Sequence, residues 1–286
     1  MNISATGLFR LTGIEFPMTR AEFDRIRELV RDHSGIALGD TKQQLVQGRL
    51  ARRLRALKLA NYAEYIDMLE RGERGELEEF VNAITTNLTA FFRESHHFDY
   101  LANELLPLRV AQGAGRLRIW CCAASSGEEP YSIAMVLREA AAALAGRDVK
   151  VLATDLDSAA LASGVAGIYP HERVQDLSPA RRSRFFKEGS GALAGQVRVR
   201  EELRSLITFK QLNLMNEWPM RGPFDAIFCR NVIIYFDKPT QKVLFERFAA
   251  LQRPGDFLFL GHSESLYRVS NRYELIGRTI YRRLDN

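Results

Sequence analysis

Two acids follow a turn of small residues in the stretch RIWCCAASSGEEPYS, Arg118 to Ser132. The apolar run Arg118–Ala124 reads as a short buried strand, and Ala124 to Glu129 as a turn around Gly127. Pro130 suits the first helical position, where its missing N–H would be unpaired anyway. Ile133, Val136, Leu137, Ala140, Ala141 and Leu144 then recur at helical spacing. The next strand, VKVLATD, ends at Asp155. A carboxylate at the tip of the second strand of a βαβ unit is placed to accept hydrogen bonds from ribose hydroxyls.

The same turn discriminates between nucleoside cofactors. Phosphate cradles use several glycines, so that backbone N–H groups face an anion. This turn has one glycine, and Glu128 and Glu129 stand where a diphosphate would lie, which would be repulsive. A ligand with a sulfonium and an ammonium would be attracted, which favours S-adenosylmethionine over NAD or ATP. The plain alternative is an ordinary strand–turn–helix with solvated glutamates.

Three further polar clusters fall at the ends of expected elements. TTNLTAFFRE (Thr85 to Glu94) joins Asn87, Thr89 and Arg93 to the pair Phe91–Phe92. Its bland reading is capping polar groups beside core aromatics. QLNL (Gln211 to Leu214) ends a strand, and FDAIFCRNVIIYF (Phe224 to Phe236) is an apolar strand that stops at Arg230-Asn231, with Tyr235 beyond. Ligands of open α/β sheets bind at the carboxyl ends of the strands, and all these groups converge on that edge. No Cys/His spacing suggests zinc, so no metal is expected.

The elements that must position these residues fall into two blocks. Residues 1–17 have little periodicity and read as a loose tail. Residues 18–90 read as a small all-helical domain. Thr19 and Glu22 form a capping box before Phe23, Ile26 and Val30, and helical patterns continue through Thr41–Lys58, Tyr62–Arg71 and Leu77–Ile84. Residues 91–115 form a linker with a helix at about Phe98 to Gln112. From 116 to 286 strands alternate with helices: Arg118–Ala124, Val149–Asp155, Ile207–Leu212, Phe224–Arg230 and Phe257–His262 are the expected strands. This predicts an α/β fold with a parallel, doubly wound sheet. Tyr273 to Leu284 adds an antiparallel pair about Gly277. Residues of about 167–205, with a helix at Pro179–Phe186 and a strand at Gln196–Arg200, exceed a simple crossover and read as an inserted subdomain.

Composition sets the class. The 286 residues are 46% hydrophobic and 26% charged, as in soluble globular proteins. No apolar run approaches the roughly 20 residues of a membrane span, and no signal-peptide pattern opens the chain. Cys121, Cys122 and Cys229 lie in apolar strands, which suits reduced thiols in a cytoplasmic protein. The net charge of +5 is too small to imply nucleic acid. Basic residues do cluster on the second helix, where Arg49, Arg52 and Arg53 share a face. That face is either merely solvated or a docking surface for an acidic partner.

With TTNLTAFFRE, AASSGEEPYSIA, the Asp155 strand end, GPFDAIFCRNVIIYFDK and GHSES in view, the chain resembles the chemotaxis receptor glutamate O-methyltransferases, the CheR family. The match runs from about residue 20 to residue 282. The resemblance implies a Rossmann-like S-adenosylmethionine-dependent methyltransferase domain with an inserted β-subdomain, preceded by an all-α domain. It implies cofactor contacts at Asn87, Thr89, Arg93, Glu129, Asp155, Asn213, Leu214, Arg230 and Asn231, with Arg93 and Tyr235 beside the transferred methyl group. It also implies that the products are glutamyl γ-methyl esters on receptors and S-adenosylhomocysteine. The basic helix would face the acidic methylation helices of receptors, and the β-subdomain could capture a receptor C-terminal pentapeptide. Two alternatives stay open: a methyltransferase for nucleic acid or a small molecule, and a non-enzymatic cofactor-binding module.

Overall fold

The computed structural model describes residues 15–73 and 75–286, so most of the expected N-terminal tail lies outside the described residues. The chain divides into two compact units, one running to Thr86 and taking in Tyr235–Asp237, the other holding the rest.

The first unit is helical. Helix α1 (Arg20–Ser34) opens with the expected capping box: the Glu22 N–H donates to Thr19 Oγ1 at 3.2 Å, and the Thr19 N–H to the Glu22 carboxylate at 2.7 Å. Helices α2 (Gln43–Leu57), α3 (Tyr62–Glu70) and α4 (Glu76–Ile84) follow. Their apolar stripes bury Phe23, Ile26, Val46, Leu50, Leu54, Tyr62, Tyr65 and Phe80. Removing that area from water is the main force holding the unit together.

The second unit begins with α5 (His96–Tyr100) and α6 (Leu106–Ala111). A single regular helix was expected here. Instead, Leu101–Leu105 is a π-turn in which the Leu106 N–H reaches back five residues to the Leu101 carbonyl. Pro107 follows, and a proline cannot donate into an α-helical ladder and clashes with the preceding turn, so the widened turn falls where regular α geometry would fail. Phe98, Leu101, Leu105 and Leu106 pack into the core of this unit.

Next come β1 (Arg116–Cys121), α7 (Glu128–Glu139), β2 (Asp148–Asp155) and α8 (Ser158–Ala166). The small elements β3 (Ile168–Pro170), α9 (Pro179–Phe185), β4 (Phe186–Glu188), β5 (Gln196–Val199) and α10 (Glu201–Arg204) follow. The chain closes with β6 (Ile207–Gln211), β7 (Ala226–Cys229), α11 (Lys238–Ala250), β8 (Phe257–Leu260), β9 (Tyr273–Gly277) and β10 (Ile280–Arg283). Among the described residues the main sheet runs β6-β2-β1-β7-β8-β10-β9, parallel through β8, with β10 antiparallel to both neighbours. Strand order reverses between β1 and β7, and that reversal opens a crevice at the carboxyl ends.

Three details differ from expectation. Pro130 is the third residue of α7, since Gly127 caps the helix; the first turn has no intrahelical N–H bonds to lose, so proline is tolerated there too. The helix stops at Glu139, and Ala140 to Leu144 continue as turns that still bury Leu144. The inserted segment builds a complete three-stranded antiparallel sheet, β3-β5-β4, where one strand was expected; its partners are three residues each, too short to show a period. Among the described residues no helix is long and apolar enough to cross a membrane.

Candidate functional site

The crevice is organised around Asp155 at the tip of β2. The Ala124 N–H bonds to the Thr154 carbonyl at 2.9 Å, keeping the β1–α7 turn beside this strand. Below it the buried Trp120 indole donates to Thr154 Oγ1 at 2.9 Å. Ser125 then turns with a φ of 48° and aims its N–H at Asp155 Oδ2, 2.7 Å away, while the Asp157 N–H donates to Oδ1 at 2.9 Å. Each carboxylate oxygen keeps further acceptor capacity. Burial pushes Asp155 up to about 6, against the opposing pull of the two N–H donors. Asn87 Nδ2 donates to Asp157 Oδ2 at 2.6 Å, and its Oδ1 accepts the Ser125 hydroxyl at 3.2 Å.

The QLNL segment joins the same edge, because the Leu212 N–H donates to the Asp155 carbonyl at 2.9 Å. Asn213 Oδ1 accepts the Met215 N–H at 2.9 Å, and the carbonyl of buried Leu214 accepts Arg247 and the Trp218 indole at 2.7 and 3.2 Å.

The two glutamates of the turn face different partners. Glu128 is fully buried, accepts the Ser126 hydroxyl at 2.7 Å and lies 3.4 Å from the Arg173 guanidinium. Glu129 accepts Arg230 Nη1 at 2.5 Å and the Cys121 thiol at 3.1 Å. Burial raises that thiol well above its ordinary value, so it stays protonated and can donate. Arg230 also reaches Glu94 at 3.3 Å and donates to the Arg93 carbonyl. Burial alone would push Glu94 up, but His262 Nδ1 at 2.9 Å and the Arg230 charge outweigh it and bring it down to about 2. One buried guanidinium therefore serves two carboxylates that come from distant parts of the chain. Glu94, His96 and His97 can bring one possible ligand atom each within 4.8 Å of the others, a cluster that spacing did not reveal. The cation facing Glu94 there is Arg230.

Arg93 donates from its own guanidinium to the Leu88 carbonyl at 2.7 Å, and the Thr89 carbonyl accepts Arg173 at 3.1 Å. Asn231 leaves β7 with a φ of 57°, and Phe92 and Glu94 have φ of 53° and 57°. Four non-glycine residues with positive φ in these loops, Ser125 included, mark backbone held against its preference, as is common at functional sites. Tyr235 closes a short turn, Ile233–Tyr235, and groups with the helical unit, where its carbonyl accepts the Ala37 N–H at 2.8 Å.

On α2, Arg49 donates to the carbonyls of Ile84 and Thr85 and to Thr86 Oγ1, terminating α4. Arg53 grips the buried Glu76 at 2.6 and 3.0 Å, and that carboxylate also accepts the Tyr65 hydroxyl. Arg52 is exposed.

The donor set fits S-adenosylmethionine. Asp155 and Asn87 offer acceptors for a vicinal diol, and Glu129 is an acid for an ammonium group. The φ of 99° at Gly127 lets the turn approach closely: a Cβ there would meet the Gly164 Cα at 2.8 Å. Reading the sequence gave no individual role to Ser125, Glu94, His262 and Glu264, although they lie in the motifs AASSGEEPYSIA, TTNLTAFFRE and GHSES, and it passed over Asp157. Asp157 carried a signal, as an Asp capping the small-residue helix α8, where it accepts the Ala160 N–H at 2.9 Å.

Comparison with known proteins identifies the family. A family model described as CheR methyltransferase, SAM binding domain, matches residues 87–282, and one described as CheR methyltransferase, all-alpha domain, matches residues 21–85. Chemotaxis protein methyltransferase 2 of Pseudomonas aeruginosa is 50% identical over 268 residues, covering 93% of this chain and 94% of that protein. The chemotaxis protein methyltransferase of Escherichia coli is 45% identical over 266 residues, covering 92% and 91%. That of Borreliella burgdorferi is 36% identical over 273 residues, covering 93% and 95%. The chain belongs to the CheR methyltransferase family and is an S-adenosylmethionine-dependent methyltransferase of chemotaxis.

Proposed function

We propose that this enzyme acts in the cytoplasm, esterifying glutamate side chains on the cytoplasmic helices of chemoreceptors to γ-methyl esters in sensory adaptation. The observation that carries the reading is an acid–amide cradle at the strand ends without a base-activated thiol. Cys121, Cys122 and Cys229 are buried, with burial raising all three above their ordinary range, and burial drives His97 down to about 3. A glutamate acceptor suits such a site, because it is already ionised at neutral pH and needs no base.

The bound cofactor supplies an electrophilic methyl group on a sulfonium. The chain's task is then to position and desolvate. Asp155 and Asn87 take the ribose hydroxyls, and Glu129, steadied by Arg230, takes the ammonium end. Thr89, Asn213, Leu214 and Asn231 complete the cofactor contacts. Arg93 would orient a carboxylate, either the cofactor's or the acceptor's, and Tyr235 would hydrogen-bond or pack near the methyl group. Receptor helices dock on the basic face of α2, and the β3-β5-β4 sheet takes a receptor C-terminal pentapeptide.

The test is transfer of labelled methyl groups to receptor-containing membranes. Label should be released as methanol by mild base, and faster transfer is expected to receptors that keep their C-terminal tails. Base-stable label would point to a different acceptor. Equal rates with and without the tails would remove the tethering role.

A further inference from the structure

Glu264 lies in the turn after β8, only 4% exposed, and has no part in the chemistry above. Its Oε2 accepts the N–H groups of Gly261 at 2.6 Å and Asn231 at 2.8 Å. Its Oε1 accepts those of Val232 and Ile233, both at 2.9 Å, and of Ile234 at 3.3 Å. An ionised carboxylate has about four lone-pair sites, so this one has no capacity left for a ligand or a proton transfer. Four of its five donors belong to one segment, the loop that leaves β7 at Asn231 in a left-handed conformation. Those N–H groups have left the sheet and would otherwise be unpaired beside the core. The loop is also confined from the Gly261 side, where a Cβ would come within 2.8 Å of the Asn231 backbone nitrogen and 2.3 Å of its side-chain nitrogen.

We propose that Glu264 is a positioning residue that holds the loop Asn231–Ile234 in its cofactor-binding form and so acts on cofactor affinity through Asn231. This rests on the reading of Asn231 as a cofactor contact. Glu264→Gln keeps the shape but turns an amide N–H₂ toward part of the backbone donor set. Gly261→Ala crowds the same loop at Asn231 while keeping residue 264 a carboxylate, and serves if Glu264→Gln folds poorly.

The experiment combines calorimetry with S-adenosylhomocysteine and hydrogen–deuterium exchange on the full chain. Glu264→Gln should weaken binding by about ten- to a hundredfold and speed amide exchange in 231–234 while β1 and β2 stay protected. Combined with Asn231→Ala, its effect should not add; combined with Asp155→Ala, on a separate loop, it should add. Wild-type affinity in Glu264→Gln, full additivity with Asn231→Ala, or faster exchange across the whole sheet would each overturn the proposal. If Asn231→Ala alone leaves affinity unchanged, the cofactor role of Asn231 falls and with it the link to affinity. Exchange in 231–234 then decides separately whether Glu264 holds the loop.

Discussion

The Asp155 carboxylate receives one backbone N–H on each oxygen, from Ser125 and Asp157, and burial still pushes it up to about 6. Ribose hydroxyls donate to the ionised form, so affinity for S-adenosylhomocysteine should fall as pH drops from 7.5 to 5. Binding near pH 6 should release protons, measurable by calorimetry in two buffers of different ionisation enthalpy. Asp155→Asn should remove both effects. The sign for stability is the reverse. The folded state binds the extra proton between the unfolded value near 4 and about 6, so Asp155's contribution to the stability of the cofactor-free protein falls as pH rises through that window. A second prediction concerns Arg230. Truncating it to Met leaves Glu94 and Glu129 without their shared counter-charge in a buried setting, which should cost about 3–5 kcal/mol in urea unfolding. Adding Glu94→Gln and Glu129→Gln should restore much of that loss. Asp155 was legible because a strand tip is a fixed address in a βαβ unit. The Glu129–Arg230 pairing was not, because only the parallel neighbours β1 and β7 bring the two residues together.

Though the helix expected at Phe98–Gln112 is broken by a π-turn and the helix after Gly127 stops at Glu139, several elements long enough to show a period were legible from the residues alone. The apolar stripes of α1 and α2 and the buried run of β1 are of this kind. The π-turn at Leu101–Leu105 and the three-residue strands β3 and β4 were not, since they arise from local accommodation and tertiary pairing. Gly127 was visible as a turn glycine, but its second constraint is tertiary. Its φ of 99° disfavours any side chain, and an added Cβ would strike the Gly164 Cα and the Tyr169 hydroxyl, each at 2.8 Å. Gly127→Ala should therefore destabilise the sheet unit by about 1–3 kcal/mol and weaken S-adenosylhomocysteine binding by shifting the Ser125–Glu129 turn. Gly164→Ala is the comparison: its φ is not positive, and an added Cβ would meet the edge of the Phe209 ring at 3.0 Å and the Gly127 backbone only at 3.4 Å, a milder clash. A denaturation midpoint lowered as much by Gly164→Ala as by Gly127→Ala would contradict this account.

The succession from helices to alternating strands and helices was legible because helical patterns give way to strand-like apolar runs only from about residue 116. Which charges are available to a partner was not, because sequence places Arg49, Arg52 and Arg53 on one face without saying what each one meets. Arg49 terminates α4, and Arg53 neutralises the buried Glu76 and reaches Glu79 at 3.1 Å. Reversing Arg53 would set a carboxylate against two others and loosen the helical unit, so a loss of receptor methylation in that variant would report stability. Arg52 is exposed and separates the two causes. If the basic face of α2 steers an acidic receptor helix, Arg52→Glu should slow receptor methylation several-fold at low salt. The deficit should shrink as added salt shortens the screening length toward 8 Å. Affinity for S-adenosylhomocysteine and the urea midpoint should match the parent protein. An unchanged methylation rate at low salt, in a variant that folds and binds cofactor normally, would mean that receptors approach by another surface.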